Sequence, residues 1–219
     1  MIKLKNISKS YGNEKILNNI SLEIDQGEFV SVVGPSGAGK TTLLNIIGTI
    51  EDFNINSSTE LKLNDINISS LNDVQISEFR NKNIGFIFQF HQLLPELNNF
   101  ENIILPAMIG NQSKKIYVDR AHELANLLGI NKILYKHPDS ISGGERQRVA
   151  VARSLINNPK ILLADEPTGN LDSENEKIIM SLFKKLNSEK GLTIVLVTHN
   201  KDFAKISNKC YTIKDGKWN

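Results

Sequence analysis

The sequence has little that would place the chain outside a cell or inside a membrane. Cys210 is its single cysteine, so no internal disulfide can form, which is typical of proteins from reducing compartments. No stretch approaches the roughly 18 consecutive apolar residues that a membrane-spanning helix needs. The N-terminus interleaves lysines with apolar residues and lacks the apolar core of a signal peptide. We therefore expect a cytosolic protein that reaches a membrane only through a partner.

An excess of positive charge is also missing. The chain has 26 Lys and Arg residues against 24 Asp and Glu residues, a net charge of +2. Proteins whose main partner is nucleic acid usually carry a basic stripe or patch, so we expect no nucleic acid partner. With 219 residues, of which 40% are hydrophobic, the chain is long enough for one globular domain with an inserted lobe.

The hydrophobic patterns predict an α/β fold. Residues 2–7 and 20–25 alternate apolar and polar side chains, which predicts short strands with one buried face. Continuous apolar runs, too short for buried helices, predict central parallel strands at 29–33, 84–88, 161–164 and 194–197. Helical patterns separate these runs, at 41–50, 144–156 and 174–188. Strands that alternate with helices in this way indicate a mainly parallel core sheet with crossover helices.

The middle of the chain, from about residue 90 to residue 143, differs from the rest. It contains several prolines and a helical stretch at 118–128, and it carries no strong strand pattern. We expect a small helical lobe inserted into the α/β body.

A glycine-rich segment follows the first central strand and opens a helix. It reads Gly34-Pro35-Ser36-Gly37-Ala38-Gly39-Lys40-Thr41, with Thr42 next. Glycines let consecutive backbone N–H groups converge on phosphate oxygens, and the helix dipole favours anions there. In the motif G-x-x-x-x-G-K-[ST], Lys40 reaches the β- and γ-phosphates and the Thr41 hydroxyl ligates Mg²⁺. The alternative, a chance glycine-rich turn, is disfavoured by the strand before it and the helix after it.

Two acidic residues, Asp165 and Glu166, end another apolar strand. If that strand lies beside the glycine-rich loop, Asp165 comes near the Mg²⁺ ion and Glu166 can hold the attacking water as a general base. Alone, the pair is equally consistent with two ordinary charges where a strand meets solvent. The presence of a phosphate-binding loop favours the catalytic interpretation.

A second helix also begins with small residues, namely Ser142, Gly143 and Gly144, followed by Glu145. Such a start can bind a phosphate. The spacing of Ser142 and Glu145 also matches a capping box, a purely structural feature. The two interpretations are compatible.

The order of these motifs resembles the ATP-binding-cassette (ABC) ATPases over essentially the whole chain. The motifs are GPSGAGKT, Gln89, ISGGERQ, ILLADE, GNLD and His199, and Ile141 replaces the leucine usual before Ser142. The resemblance implies a P-loop NTPase fold with an N-terminal antiparallel β subdomain. It also implies one nucleotide-binding domain over 1–219, with a RecA-like core at about 1–89 and 144–219 and a helical subdomain at about 90–143.

The resemblance implies roles for further residues. Tyr11 would stack on adenine, although a core tyrosine is the alternative. Gln89 would touch Mg²⁺ and the attacking water, and His199 would contact the γ-phosphate. Asn170, Leu171 and Asp172 would form the loop that communicates across a dimer. Two chains would sandwich two ATP molecules, each between one chain's glycine-rich loop and the other chain's Ser142-Gly143-Gly144.

The segment after Gln89 resembles a narrower group, the ATPase subunits of lipoprotein-releasing transporters, with macrolide and peptide exporters and the cell-division cassette as near relatives. The resemblance implies an ATPase on the cytoplasmic face of the inner membrane that drives a permease, first of all for lipoprotein release. The alternatives are export of macrolides or peptides, and a module that transmits force to cell-wall enzymes without transport. A soluble cassette ATPase that acts on DNA or ribosomes is disfavoured. The permease would dock on the helical subdomain, in an apolar groove formed by Leu93, Leu94, Leu97, Phe100, Ile103 and Ile104. The alternative is that these six residues are simply the core of the helical lobe.

Overall fold

A computed structural model describes residues 1–169 and 171–219, with residues 201 and 202 described in the backbone alone. Strands and helices follow one another along the chain as β1 (Ile2–Tyr11), β2 (Glu14–Ile24), β3 (Phe29–Val33), α1 (Lys40–Ile47), β4 (Glu60–Leu63), β5 (Ile66–Asn67), α2 (Asp73–Asn83), β6 (Ile84–Ile87), α3 (Asn99–Ile109), α4 (Lys114–Leu127), α5 (Gly143–Leu155), β7 (Ile161–Asp165), α6 (Ser173–Lys190), β8 (Thr193–Val197), α7 (Lys201–Ala204), β9 (Lys209–Lys214) and β10 (Lys217–Trp218). Short 3₁₀ turns occupy 68–70, 131–133 and 138–140.

The larger sheet has six strands in the order β10-β9-β3-β8-β7-β6. Every neighbouring pair from β9 to β6 is parallel, and β10 pairs with β9 in the antiparallel sense. Because parallel strands end at the same edge of a sheet, the segments after β3, β6, β7 and β8 meet there. The mainly parallel core sheet predicted from the apolar runs is therefore confirmed.

The central strands are continuous apolar runs because both faces of the sheet are covered. Leu162 and Ala164 of β7 pack into a core shared with α3, α4, α5 and α6, whereas Ile161 and Leu163 pack into the core beneath the second sheet. All five residues of β7 and all five of β8 are buried. The alternation of side chains along a strand thus divides the interior into two hydrophobic cores.

The second sheet has four strands in the order β2-β1-β4-β5, all paired in the antiparallel sense. Short strands were expected at the N-terminus, but β1 and β2 have 10 and 11 residues and pair from Ile2 opposite Ile24 to Tyr11 opposite Glu14. Register shifts after Leu4 and Ile7 absorb the interruptions in the apolar–polar alternation, as bulges do. The hairpin therefore continues beyond the region where the sequence alternates regularly.

Between β6 and β7 the chain is helical and forms no strand, as expected for the middle segment. Helix α4 begins at Lys114, earlier than the predicted helix, and α3 continues through Pro106 after a capping box of Asn98 and Glu101. Ile103 and Ile104 are buried in the core. These two residues therefore belong to the core of the lobe, which was the alternative to a place in an exposed docking groove.

Most predicted element ends lie within two residues of the observed ones. The helix expected at 41–50 ends at Ile47, because Gly48 follows and Thr49 adopts a left-handed backbone conformation (φ 55°). Strand β6 ends at Ile87, and β7 extends to Asp165. Across the described ranges, no helix combines the length and the apolar character needed to cross a bilayer.

Candidate active site

A cleft of about 420 Å³ lies where the central strands end. It is lined mostly by residues predicted from the sequence, namely Tyr11, Ser36, Gly37, Gly39, Lys40, Thr41, Thr42, Gln89, Asp165, Glu166 and His199. Ile16 of β2 also lines the cleft and was not predicted. It lies in the part of β2 that precedes the regular alternation, next to Leu17, and no sequence signal separates it from the other apolar residues of that sheet.

The glycine-rich loop needs glycine where its backbone is left-handed or tightly packed. Gly37 and Gly39 have φ values of 77° and 95°, which other residues rarely adopt. A Cβ atom on Gly39 would also lie 2.7 Å from Leu17 Cδ2 and 2.9 Å from the Ile16 carbonyl oxygen. Gly39 is the N-cap of α1, and no side chain caps this helix. The helix therefore begins with its dipole directed at the cleft and no side chain competing for its first N–H groups.

Lys40 is held by the loop itself. Its ammonium group donates to the carbonyl oxygens of Gly34 and Pro35 at 2.9 and 2.8 Å. The N–H of the buried Ala38 donates to the Pro35 oxygen at 3.3 Å. Gly34, Pro35 and Ala38 thus shape the loop and hold the lysine without lining the cleft.

Asp165 is buried at the end of β7 next to Thr41. Burial raises the pKa of the Asp165 carboxyl, and the hydrogen bond with Thr41 opposes this increase. Its Oδ1 atom is buried and has no hydrogen-bond partner. A carboxylate oxygen in this state is costly unless a ligand or an ion completes its contacts.

Glu166 and His199 face each other across the ends of two neighbouring strands. His199 Nδ1 lies 2.9 Å from Glu166 Oε2. Glu166 adopts a left-handed backbone conformation (φ 43°), which is uncommon for a residue with a side chain, and its N–H donates to the Val197 carbonyl at 2.9 Å. This backbone bend turns the Glu166 side chain toward the cleft. Gln89, two residues beyond the end of β6, lines the same cleft.

The second predicted phosphate site lies at the start of α5 and is not part of this cleft. Ser142 caps the helix: the Glu145 N–H donates to Ser142 Oγ at 3.3 Å, and the Ser142 N–H donates to Glu145 Oε2 at 2.8 Å. A Cβ atom on Gly144 would lie 2.6 Å from the Asn175 side chain. The capping box is therefore present, and Gly143 and Gly144 begin a helix that packs against the start of α6.

Asp172 organises the start of α6. Its side chain accepts hydrogen bonds from the Glu174 and Asn175 N–H groups at 3.1 and 2.9 Å. The Asn175 bonds lower the pKa of Asp172. Leu171 packs partly buried against the core, and Asn170, the remaining residue of the predicted communication loop, lies outside the described residues.

Comparison with known proteins adds independent evidence. The family model described as "ABC transporter" matches residues 17–169. The lipoprotein-releasing system ATP-binding protein LolD of Bacteroides thetaiotaomicron is 47% identical over 216 residues, which cover 99% of this chain and 98% of that protein. The protein of the same name from Aquifex aeolicus is 43% identical over 219 residues, covering 99% and 95% of the two chains.

Solved structures give the same result. The dimeric post-hydrolysis structure of the ATP-binding cassette MJ0796 bound to ADP and Pi superposes with a TM-score of 0.92 at 40% identity, covering 100% of this chain and 97% of that one. A second dimeric structure of MJ0796 matches with a TM-score of 0.92 at 41% identity and the same coverage. These matches confirm the fold class and the family expected from the motifs. The chain thus belongs to the ABC transporter family, as one of its ATP-hydrolysing subunits.

Proposed function

We propose that the chain hydrolyses ATP in the cleft at the edge of the core sheet and drives a membrane permease that releases lipoproteins from the inner membrane. The observation that carries the ATPase assignment is the convergence of Lys40, Thr41, Gln89, Glu166 and His199 on one cleft from separate elements. The relatives named as lipoprotein-releasing system ATP-binding proteins support the substrate. The subunit would lie on the cytoplasmic face of that membrane.

The glycine-rich loop would hold the phosphates. The uncapped start of α1 supplies N–H groups and a favourable dipole. Lys40 now donates to two carbonyl oxygens of its own loop, so its ammonium group is already within the loop before a ligand arrives. When phosphates enter, Lys40 exchanges a carbonyl partner for a charged one, which forms a stronger bond. Tyr11, which lines the same cleft, would stack on the adenine ring.

The donor set near Asp165 fits a Mg²⁺ ion. Asp165 Oδ1 is buried without a partner, the Thr41 hydroxyl is beside it, and Gln89 lines the same cleft. Among the described residues, no group of three or more His, Cys, Asp or Glu side chains could hold a metal, which suits an ion bound largely through substrate phosphates. When bound, Mg²⁺ neutralises charge on the phosphate oxygens.

Glu166 would act as the general base. Its carboxylate is directed into the cleft by the left-handed bend at its own backbone, where it can accept a proton from the attacking water. His199, 2.9 Å from that carboxylate, would orient Glu166 and contact the γ-phosphate through its other ring nitrogen. Gln89, which lines the same cleft after the neighbouring strand β6, would also contact the water.

The active unit would be a homodimer. The start of α5, with Ser142 to Glu145, does not line the chain's own cleft, which favours contact with the nucleotide of another chain. The related MJ0796 cassette forms dimers. Each ATP would thus be held between the glycine-rich loop of one protomer and Ser142 of its partner, and hydrolysis would release the closed state.

The permease would dock at a second cleft of about 490 Å³ beside the segment that follows Gln89. Phe88, Gln92, Ile109 and Arg153 are among its lining residues. Ile109 is 67% exposed, and the neighbouring Phe90 is 69% exposed. Exposed apolar side chains suit a docking helix. We therefore place the docking site here rather than at the part of the expected groove that is buried.

Arg153, which lines this second cleft, holds the segment that follows Gln89. Its guanidinium donates to the His91 carbonyl at 2.6 Å and also to the Gln92 carbonyl, and burial lowers its pKa to about 10. His91 and Gln92 both adopt left-handed conformations, with φ values of 31° and 51°. A permease helix that displaced this strained segment would also move Gln89.

Reconstitution of the chain with its permease in proteoliposomes that contain an acylated lipoprotein tests the proposal. We expect ATP-dependent transfer of the lipoprotein to a soluble acceptor and no transfer with the Glu166→Gln complex. ATP hydrolysis without lipoprotein release would favour force transmission without transport, and stimulation by macrolides alone would favour drug export.

The docking site is tested in the same system. Ile109→Asp is expected to abolish stimulation by the permease while basal ATP hydrolysis continues. Ile116→Asp, at an exposed position of α4, is the matched control and should retain stimulation. Equal behaviour of the two variants would exclude docking at the second cleft.

A further inference from the structure

Tyr11 occupies an unusual position for an aromatic side chain. It ends β1 at the turn of the hairpin, opposite Glu14, and its side chain is 50% exposed while lining the active-site cleft. A large ring at the tip of a hairpin would normally sample several orientations. The surrounding side chains, however, hold it in one.

The hydroxyl group of Tyr11 is the first point of attachment. It donates a hydrogen bond to Glu51 Oε1, and this bond, followed by burial, raises the pKa of Tyr11. The hydroxyl also meets the side chain of Thr42. Glu51 follows α1 closely, and its N–H donates to the Asn45 carbonyl of that helix at 3.3 Å. The ring is thus attached to both ends of the helix that begins at the phosphate-binding loop, through Thr42 in its first turn and Glu51 just beyond its last.

One face of the ring is the second point of attachment. Lys9 Nζ lies over the Tyr11 ring, 5.3 Å from its centroid, and 3.3 Å from the same Glu51 Oε1 atom. The side chains of Lys9 and Glu51 are only 15% and 17% exposed, so this ion pair is better shielded than a surface pair. Lys9 does not line the cleft, whereas Tyr11 does. Because Tyr11 is half exposed and Lys9 lies over one face only, part of the ring surface remains available to a ligand in the cleft.

We propose that Glu51 and Lys9 are positioning residues that fix Tyr11 as a platform for the nucleobase. Glu51 holds the hydroxyl and Lys9 covers the back of the ring, so the free face is presented toward the cleft before the nucleotide binds. Preorganisation of this kind strengthens binding because less side-chain entropy is lost on association. The proposal rests on nucleotide binding in this cleft.

Binding of two ligands to the full chain, measured by titration calorimetry, tests the proposal. MgADP carries a base, and magnesium tripolyphosphate does not. We expect Glu51→Ala to raise the Kd of MgADP by about three- to tenfold, a fraction of what loss of the stacking itself would cause, and to leave the Kd of tripolyphosphate unchanged. In steady-state ATP hydrolysis, KM should rise while kcat stays the same.

Matched variants separate positioning from folding. Glu51→Gln keeps an oxygen that can accept the hydrogen bond from the Tyr11 hydroxyl, so it should retain part of the MgADP affinity that Glu51→Ala loses. Lys9→Met keeps the apolar stem, removes the ammonium group and should also weaken MgADP selectively. Glu23→Ala removes a Lys–Glu pair with Lys3 elsewhere on the hairpin and should change neither Kd. In a Tyr11→Ala background, Glu51→Ala should have no additional effect.

Other outcomes overturn the inference. Equal weakening of MgADP and tripolyphosphate by Glu51→Ala would show that Glu51 supports α1 rather than the ring. An unchanged Kd for MgADP, or full additivity of Glu51→Ala with Tyr11→Ala, would exclude a role through Tyr11. If the wild-type chain bound neither ligand, nucleotide binding in the cleft would itself be wrong.

Discussion

The starts of helices α1 and α5 are both suited to a phosphate, yet they are built differently. Helix α1 begins after Gly39 with no side-chain cap. Helix α5 begins after Ser142 with a complete capping box, in which Glu145 and Ser142 satisfy each other's N–H groups. The first start leaves its N–H groups for a ligand, whereas the second has already satisfied the N–H groups of Ser142 and Glu145.

This difference suggests a division of labour. In the proposed mechanism, the start of α1, with Lys40 beside it, binds nucleotide in a single chain. The start of α5 is stable without a ligand, and the Ser142 hydroxyl proton and the N–H groups next to it can add only a modest contact to a phosphate. A strong site and a weak one together allow a dimer to close around ATP and to open again after hydrolysis.

Substitution of Glu166, the proposed general base, has the largest expected effect, because the dimer should then stay closed around ATP. Glu166→Gln keeps the size of the side chain but cannot accept a proton from water, so the hydrolysis rate should fall by at least about 100-fold. MgATP should still bind, and a dimer should accumulate in size-exclusion chromatography with light scattering. Hydrolysis near the wild-type rate would show that another group is the base.

Substitution of Lys40 tests the proposed strong phosphate site at the start of α1 alone. Loss of a charge-assisted contact of about 1.5–3 kcal/mol predicts that Lys40→Ala weakens MgATP binding by roughly 10- to 150-fold. Calorimetry on the monomer measures this directly. Lys132→Ala, an exposed lysine of the lobe, is the control and should bind normally. Unchanged affinity in Lys40→Ala would mean that the loop backbone alone holds the phosphates.

Obstruction of the weak start tests the division of labour. Ser142→Arg should leave the MgATP affinity of the monomer unchanged, since Ser142 does not line its own chain's cleft. In the Glu166→Gln background it should weaken ATP-driven dimerisation by about tenfold or more, the loss of one to two good contacts. Normal dimerisation of this double variant would exclude Ser142 from the interface.

Much of the site was predictable because its signals are local. The glycine-rich loop depends on consecutive residues, and the capping box of Ser142 and Glu145 depends on a spacing of three. The central strands were found because burial on both faces makes each a continuous apolar run. Glu166 and His199 follow such strands directly, so the strand assignment also brought them to one edge of the sheet.

Other features depend on contacts that the sequence does not encode locally. Helix α2 was not predicted because Phe79 is its single buried residue, which gives no apolar periodicity. The packing of Asn175 against Gly144 joins residues far apart in the chain, as does the contact of Lys9 and Glu51 with Tyr11. In the sequence, Lys9 and Glu51 look like ordinary charged residues of a protein surface. Only the fold shows which lysine and which glutamate meet the ring.

The prediction with the smallest expected effect concerns Glu145 at the start of α5. It separates the contribution of the carboxylate charge from that of the hydrogen-bond geometry. Hydrogen bonds from Ser142, first from its N–H group, lower the pKa of Glu145 in the folded state. The ionised carboxylate therefore stabilises the fold at pH values above its unfolded pKa of about 4.3, and this contribution is lost as the pH falls through the lower folded pKa. Glu145→Gln keeps an acceptor oxygen without the charge, so it should lower the unfolding free energy by about 0.5 kcal/mol at pH 7.

Urea denaturation of wild type and Glu145→Gln at pH 7 and near pH 3 measures this difference, which should shrink in acid. Glu101→Gln alters the corresponding capping box at the start of α3 and is the matched control. Both variants should lose a similar stability at pH 7, but only Glu145→Gln should also affect ATP-driven dimerisation in the Glu166→Gln background. If dimerisation is insensitive to Glu145→Gln while stability falls, the charge serves α5 alone, and the weak start contacts the partner's nucleotide through Ser142 and its neighbouring N–H groups.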